Sequence, residues 1–261
     1  MQACFNDVAI HYEIEGPEGA PFVTFSHSLA SSLELWDLQV PALLDKFRVL
    51  RFDTRGHGSS SAPPGPYSIE VLTGDLIRLL DHLEIERTHF AGISMGGMIG
   101  QVFACRHADR LDRLVLSNTT CRVDPEAAPL WEERIRAAET KGMEALAPDI
   151  LKRWLSDHFR RNQPELTRRI HDMIAATPVS GYVGCSKAIG VFDISQELHK
   201  ACAPTLIIAG RLDESTPVSA ATAIQERISG SELAVMPGAL HLSNVEASEL
   251  FNQALVGFLE G

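Results

Sequence analysis

The sequence predicts an α/β fold with a mostly parallel central sheet, helices on both faces of the sheet and an inserted helical cap. Short apolar segments alternate with helix-length amphipathic segments through both ends of the chain, which is the pattern of parallel strands joined by covering helices. Residues 122–189 contain no convincing strand and only helical segments. The chain of 261 residues lies at the upper end of the size of one domain, so a sheet domain carrying an insertion is the simplest arrangement.

The first strands are predicted from apolar segments bounded by turn residues. Residues 4–14 are interpreted as a β-hairpin that turns at Asn6 and Asp7. The next strands are predicted at residues 22–25, 48–52, 88–93 and 111–117. Helices are predicted between them at residues 36–44, 69–83 and 98–106, the second with Ser68 as its N-cap.

The helical insertion has its own start and stop signals. Asp124 and Pro125 form an N-cap followed by a proline in the first helical position, and Gly142 stands where a glycine ends a helix. Prolines at positions 148, 164 and 178 are predicted to open or close further short helices. Strands at residues 205–209 and 232–236 then alternate with helices at residues 218–228 and 248–259. We therefore expect residues 1–121 and 190–261 to form the core domain and residues 122–189 to form the cap.

Composition narrows the classes of function. The formal net charge of −11 argues against binding to nucleic acids or to anionic membrane surfaces. The apolar segments fall short of the roughly 18 residues of a membrane-spanning helix, and the amino terminus lacks the layout of a signal peptide. The five cysteines are scattered and lack a C-x-x-C pair, as is typical of reduced thiols. We expect a cytoplasmic protein, and the sequence leaves its oligomeric state open.

The pentapeptide Gly92-Ile93-Ser94-Met95-Gly96 has the pattern of a nucleophile elbow. It follows a predicted strand and precedes a predicted helix, and in that context a sharp turn exposes the serine hydroxyl. The two glycines leave room for the backbone to fold back on itself. The first N–H groups of the helix point toward any oxyanion formed beside Ser94. Because the pentapeptide alone is a weak signal, the rest of the chain decides whether Ser94 is a nucleophile.

A serine nucleophile needs a base, and the base needs an acid that fixes its tautomer. Asp213 and His241 each follow a predicted strand. Because the carboxyl ends of parallel strands meet at one edge of a sheet, both side chains are expected near Ser94. Asn118 follows another strand at this edge but cannot carry a negative charge, and Glu214 is expected to point away. Ser94, Asp213 and His241 are therefore predicted to form a catalytic triad.

The oxyanion of such a site is held by two backbone N–H groups. One is expected from Met95, directly after the nucleophile. The other is expected from Leu29, in the loop that follows the strand at residues 22–25. The neighbouring His27 and Ser28 are interpreted as residues that shape this loop rather than as a second catalytic pair.

No cofactor and no metal are expected. The glycine-rich loop at residues 53–60 lacks the pattern of a phosphate-binding loop and is interpreted as structural, with His57 as a loop histidine. No other cluster of His, Asp and Glu has metal-ligand spacing, and the chain has no dinucleotide-binding fingerprint.

These motifs together resemble those of the α/β-hydrolase superfamily, in which the triad follows the chain order serine, acid, histidine. The resemblance is carried by Ser26-His-Ser-Leu29, Asp53-Thr-Arg-Gly-His-Gly58, Gly92-Ile-Ser-Met-Gly-Gly97, Gly210-Arg-Leu-Asp213 and His241-Leu-Ser-Asn244. It is greatest to the 3-oxoadipate enol-lactonases of aromatic catabolism and extends into the cap, at Lys141-Gly-Met143 and Arg153-Trp154. The resemblance implies the α/β-hydrolase fold and cofactor-independent hydrolysis of 3-oxoadipate enol-lactone through an acyl-enzyme.

The resemblance also implies that the cap binds the substrate. Arginines concentrate there, at positions 134, 136, 153, 160, 161, 168 and 169. Arg134 lies near Trp131 in the part of the cap that resembles the lactonases, and it is a candidate partner for the substrate carboxylate, with Trp154 covering the lactone ring. A surface ion pair or a packing role for Arg134 stays open.

Two further interpretations stay open beside the lactonase. An aryl esterase or perhydrolase of the same fold would use the same triad on another small ester. A hydrolase-like ligand-binding receptor belongs to a different class, and an intact triad argues against it. A dehalogenase or an epoxide hydrolase is disfavoured, because those enzymes need a carboxylate where Ser94 stands. The expected partner is a small-molecule ester or lactone, one that carries a carboxylate if the lactonase interpretation holds.

Overall fold

Eight strands form one sheet in the computed structural model, which describes residues 1–261. In chain order they are β1 (Gln2–Cys4), β2 (Ala9–Glu15), β3 (Phe22–Ser26), β4 (Arg48–Phe52), β5 (Thr88–Ile93), β6 (Leu111–Ser117), β7 (Thr205–Gly210) and β8 (Glu232–Met236). Their order in space is β1-β2-β4-β3-β5-β6-β7-β8. The strand pairs β1–β2 and β2–β4 are antiparallel, and β3 to β8 run parallel to one another. The predicted mostly parallel sheet is confirmed.

Side chains of the parallel strands are buried on both faces of the sheet. Leu114 and Leu116 of β6 belong to one apolar cluster, and Val115 between them belongs to the other. This alternation follows from the two-residue period of a strand. It explains why these strands occur in the sequence as uninterrupted apolar runs.

The α-helices follow the predicted alternation with the strands. They are α1 (Ile69–His82), α2 (Met95–Arg106), α3 (Ala128–Trp154), α4 (Asp157–Asn162), α5 (Pro164–Ala175), α6 (Val179–Gly190), α7 (Val218–Gln225), α8 (Ser243–Glu246) and α9 (Ser248–Glu260). Ser68 caps α1 as predicted, because its hydroxyl accepts a hydrogen bond of 3.2 Å from the backbone N–H of Val71. None of the helices combines the length and the hydrophobicity that a membrane span requires.

The predicted helix at residues 36–44 is wrong. The chain there forms two short 3-10 turns, Leu33–Trp36 and Val40–Ala42. Pro41 lies in the middle of the predicted segment, and a proline inside an α-helix removes a backbone hydrogen bond and clashes with the preceding turn. The indole of Trp36 packs against the ring of Phe25, with centroids 4.5 Å apart. The apolar pattern of this segment therefore reflects packing and not a helix.

Helices α3 to α6 follow one another between β6 and β7. At the start of this segment Asp124 accepts a hydrogen bond of 3.0 Å from the backbone N–H of Glu126. Gly142 interrupts α3 with φ 76° and ψ 169°, a positive-φ conformation that favours glycine. The segment therefore has the helical content and the break that its sequence predicts.

One boundary prediction in this segment is wrong. Pro164 begins α5 and Pro178 precedes α6, as expected, but Pro148 lies inside α3. A proline there removes one helical hydrogen bond. The adjacent Ala147 and nearby Ile150 are buried, so packing holds this turn of the helix in place.

The two ends of the helical segment meet at one point of the sheet domain. Val123 donates its backbone N–H to the carbonyl of Phe192 over 2.8 Å, and Ile194 donates to the carbonyl of Cys121 over 2.9 Å. These bonds flank an isolated antiparallel bridge between Arg122 and Asp193. The chain therefore leaves the sheet domain and returns to it through a single paired crossing.

Helix α6 rests on the glycine-rich loop that follows β4. A Cβ atom built on Gly181 of this helix would lie 1.9 Å from the carbonyl oxygen of Gly56, so no larger residue fits this contact without a shift. A Cβ atom on Gly184, one turn further along, would lie 2.6 Å from the ring of Tyr67. Two glycines of α6 thus set the distance between the helical segment and the sheet domain.

Candidate active site

Ser94 occupies a strained turn between β5 and α2. Its backbone has φ 56° and ψ −114°, a conformation that L residues rarely adopt. A Cβ atom on Gly92 would lie 2.2 Å from the carbonyl oxygen of Gly96, and a Cβ atom on Gly96 would lie 2.1 Å from that of Ser26. Glycine is therefore required on both sides of Ser94, and the turn has the geometry of a nucleophile elbow.

Asp213 and His241 form a buried pair. The Nδ1 atom of His241 lies 2.8 Å from Oδ2 of Asp213, and both side chains are almost fully buried. The hydroxyl of Thr216 donates to the same carboxylate oxygen over 2.6 Å. The other oxygen accepts hydrogen bonds from the backbone N–H groups of Ser215, over 2.8 Å, and Thr216, over 3.1 Å. These contacts orient the carboxylate toward the imidazole.

The charge of Asp213 is stabilised against the effect of its burial. Burial alone would raise the pKa of this carboxyl group. The neighbouring His241 and the hydrogen bonds donated by Asn118 and Thr216 outweigh burial and lower the pKa of Asp213 to about 2. Asp213 is therefore ionised at neutral pH and can stabilise a protonated imidazole.

The loops that carry the acid and the histidine are joined to each other. Leu212 donates its backbone N–H to the carbonyl of Ala239 over 2.9 Å. A Cβ atom on Gly210 would lie 2.1 Å from the carbonyl oxygen of Leu240, so a glycine at the end of β7 lets the two loops approach. Glu214 is exposed and forms no part of this contact, as predicted.

Asn118 contacts the predicted acid, which the sequence did not predict. The sequence indicates this residue only as an alternative position for the acid. The structure places its side-chain amide against Asp213, with Nδ2 2.9 Å from Oδ2 of the carboxylate. A polar residue at the end of the buried strand β6 was the available signal, because only a side chain that meets a polar partner belongs there.

The candidate oxyanion hole contains free backbone donors. The N–H of Leu29 has no acceptor within the protein, and Met95 is the first residue of α2, where an N–H has no intrahelical partner. Ala30, next to Leu29, has a φ of 58° and donates its N–H to Nε2 of His57 over 3.0 Å. The loop conformation that leaves the Leu29 N–H free is thus held by a histidine of the neighbouring loop.

His27 also bonds backbone groups and not a substrate. Its Nε2 accepts the N–H of Thr54 over 2.9 Å, so its Nδ1 carries the proton and donates to the carbonyl of Ser28 over 2.7 Å. Burial lowers the pKa of His27, which keeps the ring neutral. The contacts match the prediction that His27 and Ser28 shape the loop.

Two of the predicted substrate-binding residues form a stacked pair. The guanidinium carbon of Arg134 lies 4.9 Å from the ring centroid of Trp131, and both side chains are half-buried. Arg134 has no carboxylate partner, unlike Arg160, which pairs with Asp157, and Arg169, which pairs with Asp37. The surface ion pair proposed as an alternative for Arg134 is absent.

Trp154, the third predicted substrate-binding residue, lies beside His241. Its ring centroid is 6.2 Å from that of His241, and its carbonyl accepts the N–H of Leu242 over 3.2 Å. The structure therefore brings Trp154 next to His241. No hydrogen bond or ring contact joins the Arg134–Trp131 pair to Ser94, Asp213 or His241.

The chain holds no group of three or more His, Cys, Asp or Glu side chains arranged to bind a metal ion. The polar groups of the candidate site are a hydroxyl, an imidazole, a carboxylate, a side-chain amide and backbone N–H groups. Such a set is suited to nucleophilic attack on a carbonyl group and to stabilisation of the resulting oxyanion.

Residues 21–248 match the alpha/beta hydrolase fold family, and the chain belongs to this family. It is therefore a hydrolase. Its relatives include 3-oxoadipate enol-lactonase 2 of Acinetobacter baylyi, which is 36% identical over 249 residues, 95% of this chain and 92% of the relative. The resemblance drawn from the sequence motifs is confirmed.

Solved structures and further relatives agree on the fold and differ in named activity. The enol-lactonase structure from Burkholderia xenovorans LB400 has a TM-score of 0.96 to this chain at 39% identity, with 100% of both chains covered. A RutD protein of Stutzerimonas stutzeri, named as a carbamate hydrolase, is 32% identical over 255 residues, 96% of each chain. Membership of the family alone therefore does not identify the substrate.

Proposed function

We propose that this hydrolase cleaves a small carboxylic ester or lactone through an acyl-enzyme on Ser94. The observation that carries the proposal is the buried pair of His241 and Asp213, 2.8 Å apart, at the same sheet edge as a serine on a strained strand-to-helix turn. Parallel strands bring Ser94, after β5, to the sheet edge that carries the loops after β7 and β8, and an ionised acid behind the histidine supports a serine-hydrolase mechanism.

In the proposed mechanism His241 takes the proton of the Ser94 hydroxyl as its oxygen attacks the substrate carbonyl. The backbone N–H groups of Leu29 and Met95 hold the oxyanion of the tetrahedral intermediate. His241 then returns the proton to the leaving oxygen, which in a lactone stays attached to the acyl chain. Water, activated by the same imidazole, attacks the acyl-enzyme and releases a carboxylate. Asp213 keeps the tautomer of His241 fixed throughout.

We further propose that the substrate is 3-oxoadipate enol-lactone, an intermediate of protocatechuate and catechol degradation. The named activities of the Acinetobacter and Burkholderia relatives support this choice. So does Arg134, a half-buried guanidinium with no carboxylate partner in the protein, since the enol-lactone carries a free carboxylate that an arginine can bind through two hydrogen bonds. A cytoplasmic site of action stays a prediction.

In this proposal residues 122–189 act as the cap. The helices of this segment carry Trp131, Arg134 and Trp154, and the last lies 6.2 Å from the triad histidine by ring centroids. We propose that Arg134 binds the substrate carboxylate while Trp154 covers the lactone ring. Substrate choice would then depend on the cap, and the chemical step on the sheet domain.

The test is a substrate panel measured as kcat/KM for the wild type and for Ser94→Ala. The panel contains 3-oxoadipate enol-lactone, a saturated lactone, a 4-nitrophenyl ester and a carbamate. The proposal expects the enol-lactone to be the best substrate and every activity to depend on Ser94. Higher kcat/KM on the 4-nitrophenyl ester would favour the aryl esterase alternative, and higher kcat/KM on the carbamate would favour the activity named for RutD. An inactive wild type that still binds the lactone would favour a receptor.

A further inference from the structure

The side chain of Asn118 ties together the two loops that carry the acid and the histidine. Its Nδ2 donates to Oδ2 of Asp213 over 2.9 Å and to the carbonyl of Leu240 over 3.2 Å. Leu240 immediately precedes His241. One amide at the end of β6 therefore contacts the loop after β7 and the loop after β8.

The orientation of this amide is fixed from its other side. The Oδ1 atom of Asn118 accepts hydrogen bonds from the hydroxyl of Ser117, over 3.0 Å, and from the hydroxyl of Ser243, over 2.5 Å. Nδ2 faces two groups that only accept, the Asp213 carboxylate and the Leu240 carbonyl, so the reversed amide would place an oxygen against two acceptors. The side chain is fully buried, so an amide left unpaired there would be costly.

The backbone adds a reason for asparagine at this position. Asn118 has a φ of 42°, in the left-handed region that asparagine and glycine tolerate better than other residues. An aspartate would fit the backbone but could not donate to Asp213 unless it were protonated. A leucine would fill the volume and donate nothing. Among the residues that fit the backbone, asparagine is the one that supplies both donors without adding charge.

We propose that Asn118 is a positioning residue of the triad. Its amide fixes the Asp213 carboxylate relative to the loop of His241 and, because it is neutral, leaves Asp213 as the single negative charge behind the imidazole. The inference rests on the proposed function, because it assigns Asn118 its effect through Asp213 and His241. Asn118 does not touch the reacting atoms. It acts on the geometry of the groups that do.

The test compares Asn118→Gly with Thr24→Val, a control that also loses a buried hydrogen bond. Glycine keeps the left-handed backbone and removes all the side-chain contacts of Asn118. Thr24 bonds Thr88 through their hydroxyls over 2.9 Å within the sheet, away from the triad loops. The readouts are kcat, KM and the pH profile of kcat/KM on a 4-nitrophenyl ester, with folding checked by circular dichroism.

For Asn118→Gly we expect kcat to fall about ten- to a hundredfold, the usual effect of losing a hydrogen bond to a charged group, with KM changed less than about twofold. The acid limb of kcat/KM should move to higher pH, because a carboxylate with one donor fewer attracts a proton on the imidazole more strongly. Glu246, which accepts the N–H of Leu240, is the other carboxylate bonded to this loop and is unchanged in every variant. Thr24→Val should leave kcat and the acid limb unchanged.

A folded Asn118→Gly variant with the kcat and the acid limb of the wild type would overturn the proposal, and so would an equal loss of kcat in Thr24→Val. If Asn118→Gly does not fold, Ser243→Ala carries the test, since it frees the amide on one side. That variant should lose kcat severalfold at constant KM, and an unchanged kcat would count against the proposal. Ser94→Ala distinguishes failure of the proposed function from failure of this inference. Activity surviving in Ser94→Ala would refute the nucleophile, whereas an inactive Ser94→Ala beside an Asn118→Gly variant of wild-type kcat would refute the positioning role alone.

Discussion

The backbone N–H of Ala30 donates a hydrogen bond of 3.0 Å to Nε2 of His57. Because Nε2 accepts, the ring proton sits on Nδ1, which donates to the carbonyl of Arg55 over 3.2 Å. The ring is fully buried, and burial together with the neighbouring His27 lowers the pKa of His57 to about 3. The loop of the candidate oxyanion hole therefore depends on an imidazole that stays neutral in the folded protein.

This contact predicts a pH dependence of stability. In the unfolded chain His57 regains its ordinary pKa of 6.5, so only the unfolded state binds a proton between that value and about 3. The contribution of His57 to stability is complete above pH 6.5 and is lost as the pH falls toward 3. His57→Gln, whose amide oxygen can accept from Ala30, should reduce the slope of unfolding free energy against pH in this window by about 1.4 kcal/mol per pH unit. Urea unfolding at a series of pH values measures the slope.

His199→Gln is the matched control for this experiment. His199 is exposed and makes no side-chain hydrogen bond, so its removal should leave the slope unchanged. If both variants change the slope equally, or if His57→Gln leaves it unchanged, His57 is not held neutral by the fold.

Ser94→Ala should reduce turnover of a 4-nitrophenyl ester by several orders of magnitude and leave the fold intact. The hydroxyl is the proposed nucleophile, and loss of the nucleophile in a serine hydrolase costs on the order of a millionfold in kcat. Alanine keeps the strained backbone of the elbow, so the unfolding midpoint should change little. Stopped-flow and steady-state assays of the pure variant check the result, and turnover within tenfold of the wild type would remove Ser94 from the mechanism.

Asp213→Asn should lower kcat by about 10⁴, because an amide in place of the carboxylate favours the wrong tautomer of the histidine. Glu214→Gln is the matched control, since its carboxylate is adjacent in sequence but exposed. We expect that control to keep nearly full activity. A larger loss in Glu214→Gln than in Asp213→Asn would show that the acid is misassigned.

The sheet was predictable because local sequence determines it. Each parallel strand is an apolar run that ends in a loop, and Ser94, Asp213 and His241 all lie in the segments that follow such runs. Asn118 was not predictable in its role, because its partners Asp213 and Ser243 are 95 and 125 residues away in the chain. The helix predicted at residues 36–44 was wrong for a different reason. The buried side chains of the 3-10 turns around Pro41 have the spacing of an amphipathic helix.

Gly181→Ala and Gly74→Ala should change stability in opposite directions. A Cβ atom on Gly181 would lie 1.9 Å from a carbonyl oxygen of the loop beneath α6, so alanine should displace the helix and destabilise the protein by about 1–3 kcal/mol. A Cβ atom on Gly74 of α1 would meet nothing within 4 Å, so alanine there should stabilise by about 0.5–1 kcal/mol. Urea unfolding of the wild type and of both variants measures these changes in the free energy of unfolding.

The same pair of variants tests whether the helical segment controls the substrate. Displacement of α6 should raise KM for the lactone in Gly181→Ala, whereas Gly74→Ala should leave KM unchanged. If Gly181→Ala is destabilised but binds the lactone as well as the wild type, the position of α6 does not affect substrate binding, and the cap proposal loses its structural support.

Arg134 should bind the substrate carboxylate through a guanidinium that the protein leaves unpaired. Its ring partner Trp131 is 4.9 Å away and carries no charge. Burial and the neighbouring Arg153 lower the pKa of Arg134, so an anion beside it would relieve an unfavourable environment. The net charge of −11 would repel an anionic lactone in general, and a local cation is therefore the group that can offset this repulsion.

Arg134→Ala should raise KM for 3-oxoadipate enol-lactone by about ten- to a hundredfold, the range of a lost charged hydrogen bond of about 1.5–3 kcal/mol. Its kcat and KM on a neutral 4-nitrophenyl ester should stay within about twofold of the wild type, because that substrate offers no carboxylate. Arg136→Ala, two residues further on the same helix and exposed, is the control and should change neither substrate. Equal losses on both substrates would make Arg134 a structural residue of the cap. No loss on either would place the carboxylate site elsewhere. Arg153 would be the next residue to test, because its positive charge acts on Arg134.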